Sequence, residues 1–280
     1  MKAQIPFEID ASNWRESAAA AVDPSQWTAI VPAAGRGSRL GYDLPKILYP
    51  VAGRPVLEWL LDFLEPNCSR LVFVLSPDGA APVRRELDRL VAGRYDVAIQ
   101  ATPKGMGDAV ERALPAVKTP HVAIVWGDQV ALRRSSVEAC LRVHAGVPDA
   151  ALTCPTVFRD HPYIHFERDA TGQISALRQA REGDLMPERG ESDTGFFCLR
   201  TGDLRRLLAQ LREMPGESGR STGEFNFLPL IPLAARQGLT VLTPRLMTIE
   251  ETVGINSAED ARAVEVFLRD TDACTERQSR

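Results

Sequence analysis

No stretch of the 280 residues approaches the ~18 consecutive apolar side chains of a membrane span, so no membrane partner is expected. Basic residues are not massed anywhere: 33 Lys and Arg against 37 Asp and Glu leave a net charge of −4. A nucleic-acid partner is therefore not suggested, and any phosphate must be held by local placement of cations. The five cysteines, at 68, 140, 154, 198 and 274, are odd in number and too scattered for a zinc pattern or a disulfide framework. They read as reduced thiols in a cytoplasm. The first residues, MKAQIPFEIDASNWRESAAAAVDPSQW, contain acidic side chains and no sustained apolar region, unlike a secretory signal. There is no internal repeat and no low-complexity segment. Of the four histidines, His121 and His144 flank apolar runs and read as structural, while His161 and His165 lie near a polar loop. No Ser, His and Asp set has motif support.

What the chain does have is concentrated in residues 27–55, WTAIVPAAGRGSRLGYDLPKILYPVAGRP. Ala29, Ile30 and Val31 read as a buried strand, and Ala33, Ala34, Gly35 and Gly37 follow as a loop nearly without side chains. Without Cβ atoms, backbone N–H groups can converge on an anion as a concave nest. Arg39 then adds a planar fork of donors and Lys46, just after Pro45, a compact charge. That set reads as a triphosphate site. Two better-known glycine motifs do not fit. Gly35 and Gly37 are followed by Leu40 where the dinucleotide fingerprint needs its third glycine, and Lys46 follows a proline instead of the P-loop glycine.

The run VPAAGRGSRLGYDLPK, continuing into Val51-Ala52-Gly53-Arg54-Pro55, resembles the signature of the sugar-phosphate nucleotidyltransferases. Within that family it is most similar to the uridyltransferase domain of bacterial UDP-N-acetylglucosamine pyrophosphorylases, down to the D-L-P-K of Asp43 to Lys46. The resemblance implies a Rossmann-like, GT-A-like α/β fold: a mixed, mostly parallel sheet flanked by helices, with a small β-rich sugar-binding subregion. It covers residues 26–272, leaving an N-terminal extension over 1–25 and a tail over 273–280. The hexapeptide repeats that accompany this module in bifunctional relatives are not found in the sequence, so acetyl transfer is not expected.

Periodicity points to the same class independently. Helical spacing over 56–64, 82–91, 108–117 and 136–143 alternates with apolar runs over 71–75, 95–99 and 122–125, which argues for a parallel sheet with helices on both faces. Ligands sit beyond the carboxyl ends of such strands. The second half reads as strands over 150–158, 163–168, 173–178, 193–199 and 240–242, with a hairpin turn at Asp169-Ala170-Thr171-Gly172. Residues 181–191 read as a polar loop able to close over a substrate, and 215–222 as another loop. Helices are expected over 204–211, 225–236 and 258–268, and the N-terminal stretch reads either as a short helix over 13–22 behind Ser12, packed on the domain or a partner subunit, or as a frayed tail.

The resemblance also assigns roles. Gln100, before Gly105-Met106-Gly107-Asp108-Ala109, matches a uracil-reading glutamine, with the backbone at Gly105 completing the contact. A carboxamide offers a donor and an acceptor side by side, so cytosine could be met by the flipped amide. Asp128, in Trp126-Gly127-Asp128, and Asn256, in Gly254-Ile255-Asn256, match the pair that binds magnesium. On the sugar side the resemblance implies Trp126, Gln179, Asp193 and Glu224, with Asp193 standing where N-acetylglucosamine enzymes carry asparagine. The activity implied is condensation of UTP with a sugar 1-phosphate, with Mg²⁺ as cofactor and a homo-oligomer as a possible assembly. Arg39, Lys46 and Asp128 would be catalytic, and Ala33, Ala34, Gly35 and Gly37 would bind nucleotide. The rival readings are a cytidylyltransferase acting on a phosphorylated alcohol, a silent nucleotide-sugar-binding regulator, and guanylyl transfer to molybdopterin. The last does not account for Gln100 or Asn256.

Overall fold

The central strand is buried on both faces because it carries no polar alternation. In this computed structural model, which describes residues 21–214 and 219–278, Trp27–Pro32 (β1) is buried at every position. Ala29 and Val31 enter one hydrophobic cluster and Ile30 the other, as the two-residue period of a strand requires. β1 lies between Arg70–Leu75 (β4) and His121–Val125 (β6), parallel to both. The full sheet has seven strands, and Pro50–Val51 (β2) and Arg54–Pro55 (β3) form a small antiparallel pair outside it. Beyond β4 stands Tyr95–Ile99 (β5), and beyond β6 come Phe196–Arg200 (β12), Ala150–Thr153 (β7) and Thr240–Leu242 (β13). β12 alone runs antiparallel to its neighbours.

Helices cover both faces. Val56–Leu64 (α1), Pro77–Val91 (α2), Arg134–Gly146 (α4) and Ala258–Gln278 (α7) supply one core, in which Leu57, Leu60, Val83, Leu87, Leu141 and Val264 are buried. Met106–Ala113 (α3), Thr201–Glu213 (α5) and Leu230–Arg236 (α6) supply the other, built on Val110, Leu204, Leu208 and Ile231. The mixed α/β architecture with a mostly parallel central sheet is the one expected from the alternating pattern. Among the described residues no helix is long and apolar enough to cross a membrane.

Several elements differ from the expected bounds, each for a local reason. α2 begins at Pro77 behind a Ser76 cap whose side chain accepts from Gly79 N–H at 3.1 Å, so the helix precedes its apolar face. The helix expected over 225–236 is only Leu230–Arg236, with Pro229 at its start. The strand expected over 150–158 breaks at Cys154-Pro155, and its second half, Thr156–Asp160 (β8), leaves the sheet. There it pairs antiparallel with Arg189–Asp193 (β11), which lies partly inside the expected loop over 181–191. Polar composition hid that strand because its partners satisfy it: buried Glu191 accepts from Arg168 Nε at 2.7 Å and Thr156 Oγ1 at 2.6 Å. Ile164–Arg168 (β9) and Ile174–Gln179 (β10) form the expected hairpin, with Asp169 Oδ1 accepting from Thr171 N–H at 2.8 Å in its turn. α7 continues through part of the span expected as a tail. The expected helix over 13–22 falls outside the described residues apart from its last two positions.

Four cysteines, 68, 140, 154 and 198, are buried and unpaired, and burial pushes the Cys68 thiol up to about 12. At the amino ends of β1 and β6 lies a stack of Trp27, His121 and His144, with ring centroids 5.0 to 5.6 Å apart. Burial, with like charge on His121 and Arg200, drives His144 down to about 3, and its Nδ1 meets Thr153 Oγ1 at 2.9 Å. A folded-state value below the unfolded one means that the unfolded chain takes up the proton first as pH falls. Stability is therefore lost from pH ~6.5 downward, by up to ~1.4 kcal/mol per pH unit from this group. Urea midpoints at pH 7 and pH 5 should differ by less in a His144→Phe variant than in the parent chain.

Candidate active site

The sheet directs its chemistry to one edge. β1, β4, β5 and β6 are parallel, so the residues following them gather at the same end, and the reversed β12 returns residues 193–195 there. Gly127 N–H donates to Pro32 O at 3.1 Å, Trp126 N–H to Gly195 O at 3.1 Å and Gln100 N–H to Leu75 O at 2.9 Å, which fixes these strand ends to one another. Between them is a cavity of about 290 Å³, lined among others by Ala33, Ala34, Gly35, Lys46, Gln100, Gly105, Trp126, Asp128, Arg181 and Glu224.

The glycine-rich loop closes on itself through Lys46 N–H, which donates to Gly35 O at 3.2 Å. Gly37 has φ +69°, and a Cβ there would sit 3.4 Å from the Lys46 backbone, a conformation and spacing that suit glycine. Lys46 opens a short 3₁₀ turn, Lys46–Leu48, whose Ile47 and Leu48 are buried. Its ammonium donates to Asp128 Oδ2 at 2.6 Å and to Asn256 Oδ1 at 2.9 Å. Asp128 and Asn256, 128 positions apart in sequence, are thus brought to one point, and Ile255 N–H donating to Asp128 O at 3.1 Å ties the two segments together. Capping of α7 falls to Ser257, whose Oγ accepts from Asp260 N–H at 3.1 Å, so the Asn256 side-chain oxygen is left for Lys46. Arg39 lies exposed on the 38–40 turn and makes no ion pair among the described residues.

At the other end of the cavity Gln100 is buried, its Nε2 donating to Gly105 O at 3.0 Å and Asp108 Oδ2 at 2.9 Å. Gly105 has φ +99°, and an added Cβ would lie 2.5 Å from Phe225 O. The 219–226 segment is clipped to this loop by Phe225 N–H to Lys104 O at 2.7 Å and Gly107 N–H to Phe225 O at 2.8 Å.

The residues expected on the sugar side separate. Trp126 lines the cavity, backed by Phe197 and Phe227 at 5.0 and 5.5 Å, and Glu224 lines it while pairing with Arg181 at 2.6 Å. Gln179 lines a second cavity of about 240 Å³ beside Glu182, Asp184 and Asn226. Asp193 turns back on its own turn, accepting from Gly195 N–H at 3.0 Å, and burial pushes its carboxyl up to about 6 against that hydrogen bond.

Arg181, Glu182 and Asp108 were not singled out as site residues in the sequence. The signal was weak: Asp108 occupies the variable position of the glutamine-glycine segment, and the other two sat in the expected polar loop. Glu182 is buried and accepts from Thr222 Oγ1 at 2.7 Å, Ser221 N–H at 2.9 Å and Asn226 Nδ2 at 3.1 Å. Burial opposes its charge, but these donors outweigh it and hold the carboxyl down to about 2. Hydrogen bonds to a charged group contribute ~1.5–3 kcal/mol each, so Glu182→Ala should loosen the 219–226 segment strongly. Faster amide exchange at Ser221 and Thr222, beside unchanged exchange in β1, is the expected readout. The same carboxylate stabilises the fold fully above its unfolded value, and that contribution is lost as pH falls from ~4.5 toward 2.

One carboxylate and one amide oxygen, from Asp128 and Asn256, meet on the Lys46 ammonium, and among the described residues no group of three His, Cys, Asp or Glu could hold a metal. Asp128 and Asn256 fit Mg²⁺, which takes few protein oxygens and completes its octahedron with water and phosphate.

The mixed sheet with a glycine-rich loop and a cleft at its edge is that of a nucleotidyltransferase-type enzyme. The chain belongs to the MobA-like NTP transferase domain family, whose model matches residues 29–192. Curated relatives include the bifunctional protein GlmU of Cupriavidus pinatubonensis, 33% identical over 84% of this chain and 50% of that protein, and GlmU of Azoarcus sp., 31% identical over 81% and 49%. The chain spans about half the length of these relatives. Among solved structures, the inositol-1-phosphate CTP transferase from T. maritima superposes with a TM-score of 0.63 over 88% of this chain and 97% of that one, at 16% identity, a likeness of fold.

Proposed function

We propose that this chain transfers a uridylyl group from UTP to the phosphate of a sugar 1-phosphate and releases pyrophosphate. The observation that carries the reading is the meeting of Asp128 and Asn256 on the Lys46 ammonium, each within 3 Å of it, with Lys46 and Asp128 lining the cavity that the glycine-rich loop and Gln100 also line. An acceptor phosphate oxygen attacks the α-phosphorus in line, and the bond to the β-bridging oxygen breaks. Little covalent work falls to the protein, so positioning and charge stabilisation carry catalysis. Lys46 would hold the phosphates at the reacting centre, and the loop amides with Arg39 would grip the departing pyrophosphate. Asp128 and Asn256 would hold Mg²⁺, which neutralises phosphate charge when bound.

The test is pyrophosphate release with UTP, CTP, ATP and GTP against a panel of sugar 1-phosphates and phosphorylated alcohols, with the product identified by mass. Release with UTP and a sugar 1-phosphate is expected. A second reading, cytidylyl transfer to a phosphorylated alcohol, draws on the T. maritima neighbour, an inositol-1-phosphate CTP transferase. Product formed from CTP and an alcohol phosphate would favour it. No release from any combination would point instead to a silent nucleotide-binding relative.

A further inference from the structure

The orientation of the Gln100 side chain is decided by its neighbours. Amide oxygen and nitrogen look alike, so the assignment rests on the hydrogen-bond network. Here one end of the amide faces Gly105 O at 3.0 Å and Asp108 Oδ2 at 2.9 Å. A backbone carbonyl and an ionised carboxylate can only accept. The end facing them must be the NH₂ group, with one hydrogen for each. Oε1 has no donor among the described residues, and Gln100 lines the cleft, so what remains for a ligand there is an acceptor alone.

Asp108 is kept charged for this task. It is buried, and Arg112 donates to it through Nε at 2.8 Å and Nη2 at 3.3 Å, with Arg212 3.8 Å away. Burial alone would raise its carboxyl, but the hydrogen bonds from Arg112 and Gln100 and the two guanidinium charges outweigh that and hold it below the usual range. Were Asp108 protonated it could donate, and the amide could turn.

We propose that Asp108 sets base selection as a positioning residue: it locks the Gln100 amide with its carbonyl toward the cleft, so that the pocket takes a base whose edge offers a ring N–H. Uracil offers one at N3, and cytosine presents an acceptor at the same atom. This rests on the nucleotidyl-transfer reading of the cleft and adds to it a reason for choosing between the two pyrimidines that the glutamine alone does not supply. The rest of the segment suits the role. The neighbouring backbone of 105–107 is held by Phe225, so Gly105 O is fixed as the second acceptor.

Equilibrium titration by calorimetry, with UTP, CTP and 3-methyl-UTP in the presence of Mg²⁺, tests the lock without an acceptor substrate. The unaltered protein should bind UTP about tenfold or more tightly over both CTP and 3-methyl-UTP, the scale of one hydrogen bond and its unsatisfied partner. In Asp108→Asn, where residue 108 can donate as well as accept, the UTP to CTP ratio should fall to about threefold or less. A purely structural loss would weaken both nucleotides alike and leave the ratio unchanged, which would overturn the proposal. So would equal binding of UTP and 3-methyl-UTP, or a preference for CTP, by the unaltered protein, and those measurements need no variant. Binding of none of the three would instead remove the nucleotidyl-transfer reading itself.

Discussion

Replacing Lys46 by alanine is expected to lower turnover by about 10² to 10³, and replacing Asp128 by alanine to do the same, when pyrophosphate release is followed at saturating substrates. The magnitude follows from charge. A cation ~4 Å from a phosphate gains about 4 kcal/mol at an effective dielectric of 20 before desolvation is subtracted. Lys46 is well placed to realise that gain because its backbone is closed onto Gly35 and its ammonium is held between Asp128 and Asn256. The two losses should not add. Each residue is the other's partner at 2.6 Å, so the double variant is expected to fall little below the worse single one. Near-parental turnover in either purified single variant would remove Lys46 and Asp128 from the chemistry.

Gly105→Ala is the second change with a large expected effect, and here it is on folding as well as binding. The backbone sits at φ +99°, and the new methyl group would lie 2.5 Å from Phe225 O and 2.9 Å from Glu224 Cβ. A strained backbone residue costs ~1–3 kcal/mol, and the clash with backbone adds to that because Phe225 is tied to Lys104 and Gly107. The unfolding temperature should drop by several degrees, roughly 2–4 °C for each kcal/mol. UTP affinity should fall further than stability alone accounts for, since the displaced segment carries both Gly105 O and Glu224. A variant with the parental melting temperature and nucleotide affinity would show that the close approach to Phe225 is not needed.

The two predictions rest on different kinds of legibility. The loop from Ala33 to Gly37, Arg39 and Pro45-Lys46 could be read directly, because a glycine-rich loop is a local object: small residues and cations within a short span of chain. The layered α/β fold could be read as well, since strands buried on both faces carry continuous apolar runs and their helices carry a 3.6-residue stripe. The pairing of β8 with β11 could not. Glu191 and Ser192 are polar residues in a buried strand, acceptable only because Arg168 and Thr156, which belong to other strands, meet Glu191 there.

The candidate site divides along the same line. Asp128 and Asn256 were suggested from sequence through a family resemblance, yet nothing local to either residue says that they meet. What joins them is the sheet, which delivers Asp128 at the end of β6, and the hydrogen bond from Ile255 N–H to Asp128 O, which returns the chain to it before α7. Residue types along the chain determined the strand, the loop and the cations, because those depend on side-chain size and charge over a few positions. Which way the Gln100 amide faces, and which cavities Gln179 and Glu224 line, were decided only by tertiary contacts, because a hydrogen-bond acceptor acts on whatever the fold brings within about 3 Å of it.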